Sequence, residues 1–216
     1  MQADLHARIM RSLGICFIVA VLADFTVDGK TVFGGLAALI AIPLLIQLTA
    51  AAPATLARWW LGWTIPAAVI VLALRVAPWV VELDPYGSRQ LGQMAAGLGA
   101  AAYARGMAVW FTQARWELAA DRFTLAARAL AAAFGAWSVV AVALVVVVEP
   151  SPASDAFDAG TFFGRDLPNE PAAIALGIAV FVGVAVSLWT LRKANRFATK
   201  ALGAVAQAVP DARAVT

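Results

Sequence analysis

The sequence predicts an all-α integral membrane protein, a polytopic bundle of about six transmembrane helices in one domain. The chain of 216 residues is 62% hydrophobic and only 13% charged, with a mean hydropathy of +0.82. A soluble domain is about half apolar and about a quarter charged. The apolar residues also come in long blocks rather than on one helical stripe. One water-facing core of this size buries only part of such a surface, so the rest is expected to contact lipid.

Six apolar blocks are candidate spans, because a helix needs about 20 residues to cross the hydrocarbon core. Pro43 and Pro66 lie inside the second and third blocks. Membrane helices tolerate interior prolines, which kink or locally open them. The predicted spans are 13–27, 32–51, 59–76, 91–111, 125–148 and 172–191.

The first block has two interpretations. Arg8 and Arg11 precede a short apolar stretch, and Val21-Leu22-Ala23 before Asp24 is an acceptable cleavage site, which together form the pattern of a secretory signal. A second apolar block follows almost at once, which favours a retained span. We predict that the segment is retained; if it were cleaved, five spans would remain.

The orientation follows from the distribution of Lys and Arg, which accumulate on the cytoplasmic side of membrane proteins. Placing the N-terminus inside puts eleven of the 16 cations on the cytoplasmic side and leaves Arg105 within the membrane. The outer side receives Lys30, Arg75, Arg89 and Arg165. We therefore predict a multi-pass protein of the plasma (inner) membrane with both termini in the cytoplasm. The Lys and Arg residues cluster at the ends of the apolar blocks, so membrane topology explains the net charge of +3 without a nucleic-acid partner.

Charges inside the spans are the strongest indication of a functional site, because each is costly in hydrocarbon. Arg105 is the deepest by sequence counting, with Tyr103 nearby. One interpretation is an anion-binding cavity formed by Arg105, Tyr103 and Gln47. The other, which we favour, is structural: Arg105 pairs with Asp24 and holds two helices in register.

Arg75 is the third such charge. It is expected either to extend its side chain to the outer interface or to pair with Glu82 or Asp84.

Small residues form a stripe on the fourth block. Ala95, Gly99, Ala102 and Gly106 are spaced by four, three and four positions, which places them on one helical face and allows close backbone approach. We predict a central helix that packs through this stripe, either within the chain or against another subunit.

Absent motifs argue against an enzyme. The chain has one Cys, Cys16, and one His, His6, so zinc and bis-histidine haem sites of the usual ligand types are not expected. It lacks the Gly-x-Ser-x-Gly, P-loop and dinucleotide-binding patterns. We expect no catalytic residues, no metal and no cofactor.

Two functions remain as hypotheses. The first is a non-catalytic accessory, assembly or scaffold subunit that packs in the bilayer against other membrane proteins or against itself. The alternative is a small transporter or channel for an organic anion or hydrophobic solute that uses Arg105. A lipid-modifying enzyme is a third and less supported class.

Overall fold

The computed structural model describes residues 2–22, 33–76, 85–147, 161–162, 165–166 and 170–213. These residues form six helices and one short hairpin, which confirms the all-α fold class. Each predicted span overlaps one helix. The helices are α1 (Gln2–Leu22), α2 (Phe33–Ala51), α3 (Thr55–Val76), α4 (Pro85–Gln113), α5 (Glu117–Val147) and α6 (Glu170–Arg213).

Four of the helices are long and apolar enough to cross a membrane, namely α2, α3, α5 and α6. Their outward faces carry large apolar side chains such as Ile40, Ile70, Val139 and Phe181, all of which are exposed. Pro43 and Pro66 lie inside continuous helices, and both face outward.

The helices form two rows of three, with α1 and α4 in the middle of each row. α1 packs against α2, α4 and α6, whereas α4 packs against α1, α3 and α5. The remaining substantial contacts join α2 to α3 and α5 to α6. A middle helix presents less surface to lipid and so needs fewer apolar residues. This position explains why α4 is less apolar than its neighbours α3 and α5 in the same row.

Short turns connect α2 to α3 and α4 to α5 at one end of the bundle, the predicted cytoplasmic end. In the first turn, the Arg58 guanidinium donates a hydrogen bond from Nε to the carbonyl oxygen of Ala52, at 2.7 Å. A cation at this place satisfies an unpaired carbonyl and complements the negative end of the α2 dipole.

The second turn is a Schellman motif at the end of α4. Trp116 N–H donates to the Phe111 carbonyl at 2.9 Å, and Arg115 N–H donates to the Thr112 carbonyl at 3.1 Å. Arg115 adopts the left-handed conformation, with φ of 60°. The Phe111 and Trp116 rings stack at 5.6 Å, which is the apolar contact that usually accompanies this motif.

Two features of the structure were not predicted, namely a hairpin before α6 and the length of α6. The acidic segment before α6 contains a two-stranded antiparallel hairpin, β1 (Thr161–Phe162) with β2 (Arg165–Asp166), where no strand was predicted. Beyond the sixth predicted span, which ends at residue 191, α6 continues without a break to Arg213.

Candidate interior polar site

A hydrogen bond between side chains joins α4 to α6 inside the bundle. The Tyr103 hydroxyl donates to Oδ1 of Asn195 at 2.9 Å. Tyr103 is 0% exposed and Asn195 is 5% exposed. A buried polar pair of this kind avoids the cost of an unsatisfied group and fixes the two helices relative to each other.

Gly14 on α1 completes this site. A Cβ built on Gly14 would lie 2.7 Å from the Asn195 amide nitrogen, so a side chain at position 14 would require Asn195 to shift. Nδ2 of Asn195 is buried and has no hydrogen-bond partner among the described residues. The side-chain carbonyl of Asn195 therefore accepts a hydrogen bond, and its amide nitrogen packs against Gly14 on α1.

Aromatic side chains surround the pair. The Tyr103 ring lies 5.3 Å from Phe17 and 6.2 Å from Phe123, centroid to centroid. Phe111 stacks on Phe123 at 5.6 Å, which extends the cluster toward the α4–α5 turn. The aromatic rings fill the space between α1, α4 and α5 with large and well-packed apolar volume.

Arg105 does not share this interior, which corrects its expected position. Arg105 is exposed, although Tyr103, Ala104, Gly106 and Met107 are all buried. Two positions apart on an α-helix correspond to a rotation of about 200°, so burying Tyr103 turns Arg105 to the opposite face. The two side chains therefore do not line one cavity.

The other residues of the predicted site are also not brought together. Gln47 is exposed on α2. Asp24 lies outside the described residues, so its pairing with Arg105 stays a prediction. What the structure shows is that Arg105 faces away from α1.

The small-residue stripe of α4 faces α3 along its buried edge. A Cβ on Gly99 would lie 2.8 Å from the Ala67 Cβ, and one on Gly106 would lie 2.7 Å from Leu61 Cγ. Ala95 and Ala102 lie at the outer edge of the stripe and are half-buried. The two glycines thus make contacts within the chain, and only the alanine edge of the stripe faces outward.

Arg75 occupies a cleft lined by glycines from two neighbouring helices. A Cβ on Gly34 would lie 3.3 Å from its Nε, one on Gly35 would lie 3.4 Å from its Cβ, and one on Gly92 would lie 3.2 Å from its Nη2. The side chain is half-buried. Its proposed partners Glu82 and Asp84 lie outside the described residues. The guanidinium is inserted between α2 and α4.

The chemistry of these sites is that of helix association. Within the part of the chain that the structure describes, no group of three His, Cys, Asp or Glu side chains could hold a metal ion. The interior groups include the amides of Asn195 and Gln93, the Tyr103 phenol, the half-buried Arg75 guanidinium and scattered hydroxyls. Ser187 is one of these hydroxyls and donates to the Val184 carbonyl of its own helix. No protein-family model matches the chain, and it matches neither a curated protein nor a solved structure.

Proposed function

We propose that the chain is a non-catalytic membrane subunit, a rigid helical scaffold that packs against other membrane proteins. The observation that carries this proposal is the close packing of the interior. Tyr103, Phe123 and Phe134 are large and 0% exposed. A tightly packed interior resists deformation and holds a fixed outer shape, as a structural subunit requires.

Glycine contacts support the same proposal. A Cβ at Gly97 would overlap the Phe134 ring of α5, while Gly99 and Gly106 bring α3 close to α4. The helix backbones therefore approach each other from both sides of α4. Small residues at such contacts drive helix association in membranes, where the hydrophobic effect does not.

The test is the native mass of the tagged protein after mild-detergent extraction from its own membranes. A scaffold subunit is expected to migrate in a complex much larger than a chain of 22.6 kDa. The co-purifying proteins would then identify what it assembles with. Migration as a monomer, across several mild detergents, would contradict the proposal.

A small transporter is a second candidate, favoured by the pattern of helix contacts. If α1, α2 and α3 are exchanged with α4, α5 and α6, each substantial contact between helices corresponds to another one. The α1–α2 contact corresponds to α4–α5, the α2–α3 contact to α5–α6, and the α1–α6 contact to α3–α4. α1 and α4 run antiparallel, since His6 contacts Trp110 and Phe17 contacts Tyr103. Many transporters consist of two similar halves that cross the membrane in opposite directions.

Cys16 offers a direct way to separate the two candidates, because it is the chain's one cysteine and is 7% exposed. A rigid scaffold protects this thiol from a membrane-impermeant maleimide in intact vesicles. A transporter that opens to one side between its halves exposes α1 and allows labelling from that side. Labelling without unfolding would therefore contradict the scaffold and support the transporter.

A further inference from the structure

Exposed cations cluster on four helices, α1, α4, α5 and α6, at the level of the Tyr103–Asn195 pair. Gly14, Tyr103, Phe123 and Asn195 mark that level on α1, α4, α5 and α6. At 1.5 Å per residue, eight cations lie within about 8 Å of these markers along the helix axes. All eight are exposed; we call them the cationic belt, and they are Arg11, Arg105, Arg122, Arg128, Arg192, Lys193, Arg196 and Lys200.

The belt carries a large surplus of positive charge. Within the same interval of about 8 Å the four helices carry one carboxylate, Asp121. Among the residues that the structure describes, no belt member forms a salt bridge; the observed one joins Arg8 to Asp4. Lys193 and Arg122 lie over the rings of Trp189 and Phe197, at 3.5 and 4.2 Å, in cation–π contacts that leave the net positive charge of the belt unchanged.

Arg105 lies where the belt meets an apolar strip on the outer face of α4. From Arg105 the outer face of α4 continues through Ala102, Leu98, Ala95 and Leu91 at helical spacing of three and four. Leu98 and Leu91 are exposed, while the two alanines are half-buried between α3 and α5. Arg105 thus lies at one end of an exposed apolar strip in which leucines alternate with alanines.

We propose that the cationic belt binds anionic phospholipids, and that Arg105 binds the phosphate of one such lipid whose acyl chain lies along Leu98 and Ala102. The apolar strip favours a lipid over a free anion, because a phosphate alone would leave the exposed Leu98 and Leu91 uncovered. Clusters of four to eight cations beside membrane helices are typical of anionic-lipid recognition.

The experiment compares thermal unfolding in nanodiscs of phosphatidylcholine with and without phosphatidylglycerol. The wild-type chain is expected to have a higher Tm when phosphatidylglycerol is present. Arg105→Gln is expected to reduce that shift and to weaken phosphatidylglycerol binding about fivefold, as measured by lipid titration in native mass spectrometry. Arg192→Gln with Arg196→Gln is expected to reduce the shift further.

Arg115→Gln is the matched control, because Arg115 is exposed on the α4–α5 turn, about 18 Å beyond Tyr103 along the helix. It is expected to keep the full lipid response. Equal Tm values with and without phosphatidylglycerol would overturn the proposal and leave the belt as a topology signal. Equal stabilisation by inorganic phosphate in phosphatidylcholine would also overturn it, since the site would then recognise the anion alone.

Discussion

Tyr103 on α4 donates a hydrogen bond of 2.9 Å to Asn195 on α6, and both side chains are buried in the bundle. α4 and α6 are not adjacent within either row, since α6 packs against α1 and α5. The pair therefore reaches across the interior and ties together helices that make little other contact. Its energy should be measurable because few other interactions substitute for it.

The first prediction concerns this pair. Tyr103→Phe removes the donor and leaves Oδ1 of Asn195 unsatisfied, so the free energy of unfolding should fall by about 1 kcal/mol. A double-mutant cycle with Asn195→Ala, followed by unfolding in mixed micelles, measures the coupling directly. A coupling energy within error of zero would contradict the assigned hydrogen bond.

The second prediction compares two glycines on adjacent helices. Gly97→Ala places a Cβ within the Phe134 ring and should lower the free energy of unfolding by about 1–3 kcal/mol. Gly135→Ala is the control, because nothing lies within 4 Å of its Cβ position. That control should be neutral or stabilising by up to about 1 kcal/mol through helix propensity. Equal effects of the two substitutions would rule out the close α4–α5 contact.

The third prediction concerns Arg115 in the Schellman motif. Its φ of 60° is unfavourable for a residue with a Cβ. Arg115→Gly should therefore raise the free energy of unfolding by about 1 kcal/mol, whereas Arg115→Ala should give no gain. Thermal unfolding of both variants tests this, and a loss of stability in Arg115→Gly would show that the arginine side chain outweighs the backbone strain.

The fourth prediction is a pH dependence from His6, which packs edge-on against Trp110 at 5.6 Å. Burial lowers the pKa of His6 from its ordinary value of 6.5. As the pH falls below 6.5, the unfolded chain takes up a proton that the folded state resists, so stability is lost with falling pH. The Tm should decrease from pH 7.5 to 5.5 more in the wild type than in His6→Gln. Identical profiles would exclude this contribution.

The fold class could be predicted because the length and composition of the apolar blocks can be read directly from the sequence. The close packing of α4 through Gly99 and Gly106 could be predicted in the same way, because their spacing places both glycines on one face of the helix. The choice of neighbour was not predictable, because glycine spacing specifies a close approach without naming the partner helix.

The candidate site was less predictable. The depth of Arg105 was predicted by counting residues along the sequence, which does not reveal which face of α4 the side chain occupies. The partners of Tyr103 place Arg105 on the outer face of α4, at the level of the exposed cations of α1, α5 and α6. Asn195 was missed because it lies among Lys and Arg residues that indicate an interface. Its one sequence signal is position: it lies on the same helical face as the apolar Leu191 and Ala198, both of which are buried.

The level of Arg105 relative to the membrane is the most direct test of this arrangement. In a Cys16→Ser background, Arg105→Cys and Leu98→Cys place thiols about 10 Å apart on the outer face of α4. A membrane-impermeant maleimide applied to inside-out vesicles should label the Arg105→Cys variant and not the Leu98→Cys variant. Protection of both variants would place Arg105 within the hydrocarbon and contradict the belt, and labelling only in right-side-out vesicles would contradict the predicted orientation.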